Sequence, residues 1–239
     1  MHPSEHLEWQ RESVAWFLAL DRDALSQPLR RCPGWRVDTV YDHLGRGVGL
    51  GRVAALTAAP DANVFEVMGA ALPSPTRGAA AFDLFTVAMP NYLELLGALD
   101  PASPCATYTG TGQVAFWIRR DAIELALHAS DVADALGIDY DVEPARASDA
   151  IDETIEFVLP EALRVLGRAS PAPCRLLPTD APERLLGAGA LANASIVGSA
   201  YSLLLALWGR ADVEVRGDEA TARAWMSLVE EAFRGPDPS

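Results

Sequence analysis

No stretch constrains the fold of this chain more than residues 116–137, FWIRRDAIELALHASDVADALG. Ile118, Ala122, Leu125, Ala129, Val132 and Leu136 recur at helical spacing and form an apolar face. The spacing predicts one long amphipathic helix, with Gly137 as its C-terminal stop. The opposite face carries Arg120, Asp121, Glu124, His128 and Asp131. A polar stripe on a helix is ordinarily a solvated face. Glu124 and His128 are four apart, however, so their side chains leave the helix on the same side, one turn removed. A carboxylate and an imidazole placed this way can grip one divalent metal, provided another element supplies a third ligand.

Apolar periodicity predicts three more helices before this one, at 4–25, 37–58 and 79–99. The second is unusual, because Gly45, Gly47, Gly49 and Gly51 lie inside it and each weakens a helix. The run lacks the GxGxxG spacing and the preceding strand of a dinucleotide site. Small residues there suit close helix contact or space for a ligand. In the third helix Phe82, Phe85, Val87, Met89, Leu93 and Leu96 are core candidates, and Pro90 should kink or split it. Residues 60–78 read as a linker and 100–112 as a loop. Four helices of these lengths suggest an antiparallel bundle, whose interior can pool metal ligands from facing helices.

Past residue 143 the pattern changes. A helix at 144–167 precedes β-like segments at 174–178, 184–186 and 213–216, with helices at 195–208 and 219–233 and a frayed GPDPS ending. The expected fold class is therefore α+β, with an all-α domain at 1–143 and a small α+β domain at 144–239.

Charge and cysteine usage exclude several function classes. The formal net charge of −14 argues against a nucleic-acid groove, which needs a basic surface. All 19 basic side chains are Arg, so no catalytic or Schiff-base lysine exists. Cys32, Cys105 and Cys174 are odd in number and widely spaced, unlike a disulfide framework or a zinc motif. The polar N-terminus is unlike a signal peptide, and no apolar run is long enough to cross a membrane. A cytoplasmic protein without a membrane partner is the expectation.

His2 and His6 fall in or near a terminus expected to fray, which leaves His43 and His128 as interior histidines. His43 read alone fits a hydrogen-bonded core histidine. Joined with Glu124 and His128, it would complete a His₂Glu set with an open position, the catalytic pattern on zinc.

Trp35, Val37, His43 and Leu44 form WxVxxxxxHL after Cys-Pro-Gly, and WIRRDAIELALHASD follows at 117–131. Together with DAIDETIEFVLP (149–160), GSAYSLLLALWGR (198–210) and VEVRGDEA (213–220), these motifs resemble the mycothiol-dependent maleylpyruvate isomerase family. The resemblance covers nearly the whole chain. It implies a DinB-like metal-binding four-helix bundle followed by a sterol-carrier-like α+β domain. It places metal ligands at His43, Glu124 and His128. Their nitrogen and oxygen donors and the open position favour Zn2+ over other divalent metals, and Asp131 and Arg120 share the helix face as partners that would orient or tune the ligands. Arg210 matches a family arginine that would hold a substrate carboxylate, a task its bidentate fork suits. Mycothiol would be the thiol cofactor, and its thiolate would add to a cis double bond, permit rotation and leave. Two departures from the pattern are Ile123, where relatives often carry His, and Arg36, where Thr or Ser is common.

The function these features imply is a metal- and thiol-dependent isomerase acting on a small electrophile. The same site could serve a mycothiol S-transferase or a metal-dependent hydrolase, and a non-catalytic small-molecule-binding protein is the alternative of a different class. The expected partners are the substrate and a low-molecular-weight thiol, in a monomer or small homo-oligomer.

Overall fold

A computed structural model describes residues 1–189 and 191–233. The GPDPS ending lies outside the described residues. The chain divides into two compact units, at Tyr140 and Asp141, and its class is α+β.

In the first unit α1 (Pro3–Leu18) is shorter than its periodicity suggests. A 3-10 turn at Arg22–Ser26 carries Leu25, so the apolar pattern continues through a break in the helix. The start of α1 is not frayed. The His2 side chain accepts from the Ser4 N–H, the Glu5 side chain returns to the His2 N–H, and His6 is buried. This reciprocal cap satisfies two of the free donors of the first turn.

The second helix runs on as α2 (Val37–His43), a π-helical stretch (Leu44–Leu50) and α3 (Gly51–Thr57). Two of its glycines, Gly45 and Gly49, are explained by α5 (Ala79–Ala98), which lies against it. A Cβ on Gly45 would meet the Phe85 backbone at 3.2 Å, and one on Gly49 would meet the Ala88 Cβ at 2.6 Å. A Cβ on Gly47 would meet nothing within 4 Å among the described residues. Gly49→Val should therefore destabilise the protein by about 2 kcal/mol through overpacking. Gly47→Ala should stabilise it by about 0.5–1 kcal/mol, the helix-propensity gain. Urea denaturation midpoints measure both, and equal midpoints would contradict the close-contact reading of this glycine run.

Other expectations also fail in this unit. The presumed linker contains α4 (Val64–Ala71), capped by the Asn63 side chain on the Phe65 N–H. The presumed loop is a hairpin, β1 (Pro104–Thr107) paired antiparallel with β2 (Gly110–Gln113). Pro90 does not split α5. It sits on the exposed side, where the carbonyl it leaves unbonded can turn to water. Val87 is exposed on the same helix, outside the core.

Helix α6 (Val114–Leu136) ends at Gly137 in the left-handed conformation, φ 65°. It packs on α1 and α2, and α5 packs on both of these as well. The core joins Phe17, Tyr41, Phe85, Tyr92, Trp117 and Leu125. The polar stripe of α6 is not solvated: Arg120, Asp121, His128 and Asp131 are buried, and Glu124 is nearly so.

The second unit begins with α7 (Pro144–Glu153), a π-helical stretch (Thr154–Val158) and α8 (Leu159–Leu166). Strands β3 (Cys174–Pro178), β4 (Arg184–Leu186), β5 (Ala194–Gly198) and β6 (Glu214–Gly217) form one sheet in the order β4-β3-β5-β6, with β3 and β5 parallel. Strand β5 occupies the start of the predicted 195–208 helix, which begins only at α9 (Ala200–Leu207). The β-branched pair Ile196-Val197 pairs across the sheet before Ser199 caps the helix. Helix α10 (Glu219–Phe233) completes the unit. No helix among the described residues is long and apolar enough to cross a membrane.

Candidate metal centre

The last residue of α2 and one face of α6 meet at a single point. His43 Nε2 lies 3.0 Å from Glu124 Oε1, and His128 Nε2 lies 3.5 Å from the same oxygen. One donor atom from each of the three side chains falls within 4.8 Å of the others. Side-chain exposure falls from 37% at His43 to 18% at Glu124 and 8% at His128, so the cluster opens to solvent on its His43 side.

Each of the three is held by a neighbour. Arg120 Nη2 donates to Glu124 Oε2 at 2.6 Å, one turn back on α6. Asp131 Oδ2 lies 3.1 Å from His128 Nδ1, which leaves Nε2 turned toward the cluster. A carboxylate on the far nitrogen of an imidazole fixes the ring and raises its basicity as a ligand. Trp35 stacks on the His128 ring at 5.7 Å between centroids and 10° between planes, and also touches the His43 ring. The CPGW turn holds Trp35 there: its N–H donates to the Cys32 carbonyl at 3.0 Å, and its carbonyl accepts from Leu29. The Cys32 thiol donates to Asp131 Oδ2 at 3.5 Å, which ties the same turn to the support of His128.

The electrostatics follow from these contacts. Burial alone would raise the Glu124 carboxyl. Hydrogen bonds from His128 and His43 and the Arg120 charge outweigh it and hold the group well below the usual carboxylate range. Burial lowers His43, with its bond to Glu124 only partly offsetting this. Burial also opposes charge on His128, but Asp131 and Glu124 prevail and raise it.

A second buried group lies one turn along α6 from Glu124. Arg52 Nε, from α3, donates to Asp121 Oδ1 at 3.1 Å. The Tyr92 hydroxyl donates to Asp121 Oδ2 at 2.5 Å. The Arg52 guanidinium lies 4.2 Å from the centroid of Trp117 and 5.2 Å from that of Tyr108. Asp121 was legible as part of the polar stripe. Arg52 was not, since an arginine in a helix ordinarily projects into solvent. Its signal was the glycine run before it.

Arg210 lies in the second unit, just past α9, after Gly209 at φ 70°. Its Nη1 donates to the Trp208 carbonyl at 3.1 Å, and its guanidinium lies 5.6 Å from the Trp208 ring centroid. Of the two departures, Ile123 is buried in the core, and Arg36 pairs with Asp38 at 2.6 Å ahead of α2.

The family model for the mycothiol maleylpyruvate isomerase N-terminal domain matches residues 7–133. Among solved structures, a histidine-to-alanine mutant of the mycothiol-dependent maleylpyruvate isomerase superposes with a TM-score of 0.64 at 14% identity, over 91% of this chain and 95% of that one. The structure of that isomerase itself gives 0.62 at the same identity and coverage. At that identity the likeness is one of fold. Among curated proteins none matches.

Proposed function

The chain belongs to the mycothiol maleylpyruvate isomerase family through its N-terminal domain, and from that footing we propose that it is a metal- and thiol-dependent isomerase of a small, carboxylate-bearing electrophile. The observation that carries the proposal is the meeting of His43, Glu124 and His128 donor atoms within 4.8 Å. Two imidazole nitrogens and a carboxylate oxygen suit zinc, and three protein ligands leave a position for an exogenous group. A divalent metal there supplies a Lewis acid that keeps a low-molecular-weight thiol ionised near neutral pH, with mycothiol the thiol the family name gives.

The protein's own residues set the rest. Glu124, ionised at neutral pH, offsets the positive charge of its surroundings. Asp131 holds His128 in the tautomer that presents Nε2. Trp35 shields the His128 face from water, and the more exposed His43 edge is the way in for thiol and substrate. Arg210 enters this reading as a holder of a substrate carboxylate, supported by the fork geometry of its guanidinium.

Turnover of maleylpyruvate and of a panel of other electrophiles, with and without mycothiol, tests the reading. Cis–trans isomerisation that requires the thiol is expected. Turnover without thiol would favour a hydrolase, and adduct formation without isomerisation would favour an S-transferase. Ligand binding without any turnover would leave a non-catalytic binding protein.

A further inference from the structure

Arg52 is only 5% exposed, yet its hydrogen bonding is incomplete. Nε serves Asp121 and Nη1 lies 3.4 Å from the Met68 sulfur, a weak acceptor. Nη2 donates to no group among the described residues. It is not fully enclosed by protein and borders open space. A buried guanidinium edge without an acceptor is costly unless water or a ligand meets it.

The backbone brings Arg52 to the same side of its helix as His43. In a regular α-helix the ninth residue after His43 would lie on the opposite face from it, while the eighth would share its face. The π-helical stretch Leu44–Leu50 lies between the two residues. Its wider i→i+5 turns set the following chain back by about one residue, which brings Arg52 round to the His43 side. The contacts agree: His43 reaches Glu124 on α6, and Arg52 reaches Asp121 on the same helix, one turn away. The Arg52 charge acts on both His43 and Glu124.

The hairpin and α4 flank the guanidinium. The hairpin turn puts Tyr108 against Arg52 and Trp117, and α4 lays Phe65, 61% exposed, on the Tyr108 ring at 5.5 Å. Asp121 and the flanking rings fix the guanidinium in one plane, which prepares its free edge for a planar anion.

We propose that Arg52 is a specificity-determining residue, whose free edge receives a carboxylate of a small acid bound beside the metal centre. This deepens the proposed function and rests on it for the reaction, but the carboxylate contact is measurable without turnover. Maleate serves as the probe and uncharged maleamide as its control.

Calorimetric titration of the purified protein should show maleate binding. Arg52→Gln should weaken it about tenfold or more, with bound metal unchanged and no comparable effect on maleamide. Arg52→Lys, which keeps the charge but loses the fork, should fall between. Should Arg52→Gln fail to fold, the wild type still decides. The protein has four methionines, and the Met68 methyl NMR signal should move saturably with maleate but not with maleamide. No maleate binding, an unmoved Met68 signal, or unchanged maleate affinity in a folded variant would overturn the proposal. Absence of metal alongside an intact Met68 response would instead count against the metal reading alone.

Discussion

Glu124→Gln should lose the bound metal and, in the metal-free state, lower stability by about 3 kcal/mol at neutral pH, the scale for breaking a buried ion pair. The substitution keeps the side-chain shape but removes the charge that Arg120, His43 and His128 all meet. Arg120, 4% exposed, keeps its burial and loses this carboxylate. The pH dependence has a definite sign. The folded Glu124 carboxyl is held well below its ordinary value. Its contribution is present above the unfolded carboxyl value of about 4.3 and is lost as pH falls through the lower folded value. His128 is shifted upward. Its contribution is full below the unfolded imidazole value of about 6.5 and is lost as pH rises through the folded value. Thermal melts of chelator-treated wild type and Glu124→Gln should therefore differ most between these limits and converge in acid. Parallel curves at every pH would show that Glu124 is not an ionised partner of the two histidines.

Asp131→Asn should leave the fold and all three presumed ligands in place and weaken metal binding about 10- to 100-fold. Asp131 touches no point at which a metal would sit. It acts through His128, whose Nδ1 it holds at 3.1 Å. An asparagine oxygen can still accept from that nitrogen, but it lacks the charge that favours Nε2 as a donor. Competition with a chromophoric chelator measures the affinity. Unchanged affinity would mean that packing against Trp35 alone orients the ring.

What the sequence made legible depended on how regular the local signal was. Helix α6 has an unbroken apolar period and a glycine stop, and it stands in the structure within two residues of its expected bounds. The sign of its polar face could not be read from α6 alone, because inward and outward stripes have the same spacing. His43, carried on a different helix, supplied the reason to turn it inward. Helix α4 was hidden because alanine, proline and glycine flank a single short apolar run, and the hairpin because Thr, Gly and Ser read as loop. Strand β5 runs into α9 across one serine, so the apolar run masks a change of state. Arg52 was hidden for a different reason. Its inward placement comes from a π-helical stretch and from packing against Asp121, Trp117 and Tyr108, none of which a periodicity of 3.6 reports.

The central claim is that His43, Glu124 and His128 hold one divalent metal, and metal content tests it most directly. The protein is purified without added metal, and elemental analysis is run beside His43→Ala, with circular dichroism confirming that both are folded. The account predicts close to one zinc or other divalent ion per wild-type chain and almost none in the variant. A metal-free wild type that stays empty on exposure to zinc, or a folded His43→Ala protein that retains wild-type occupancy, would contradict it.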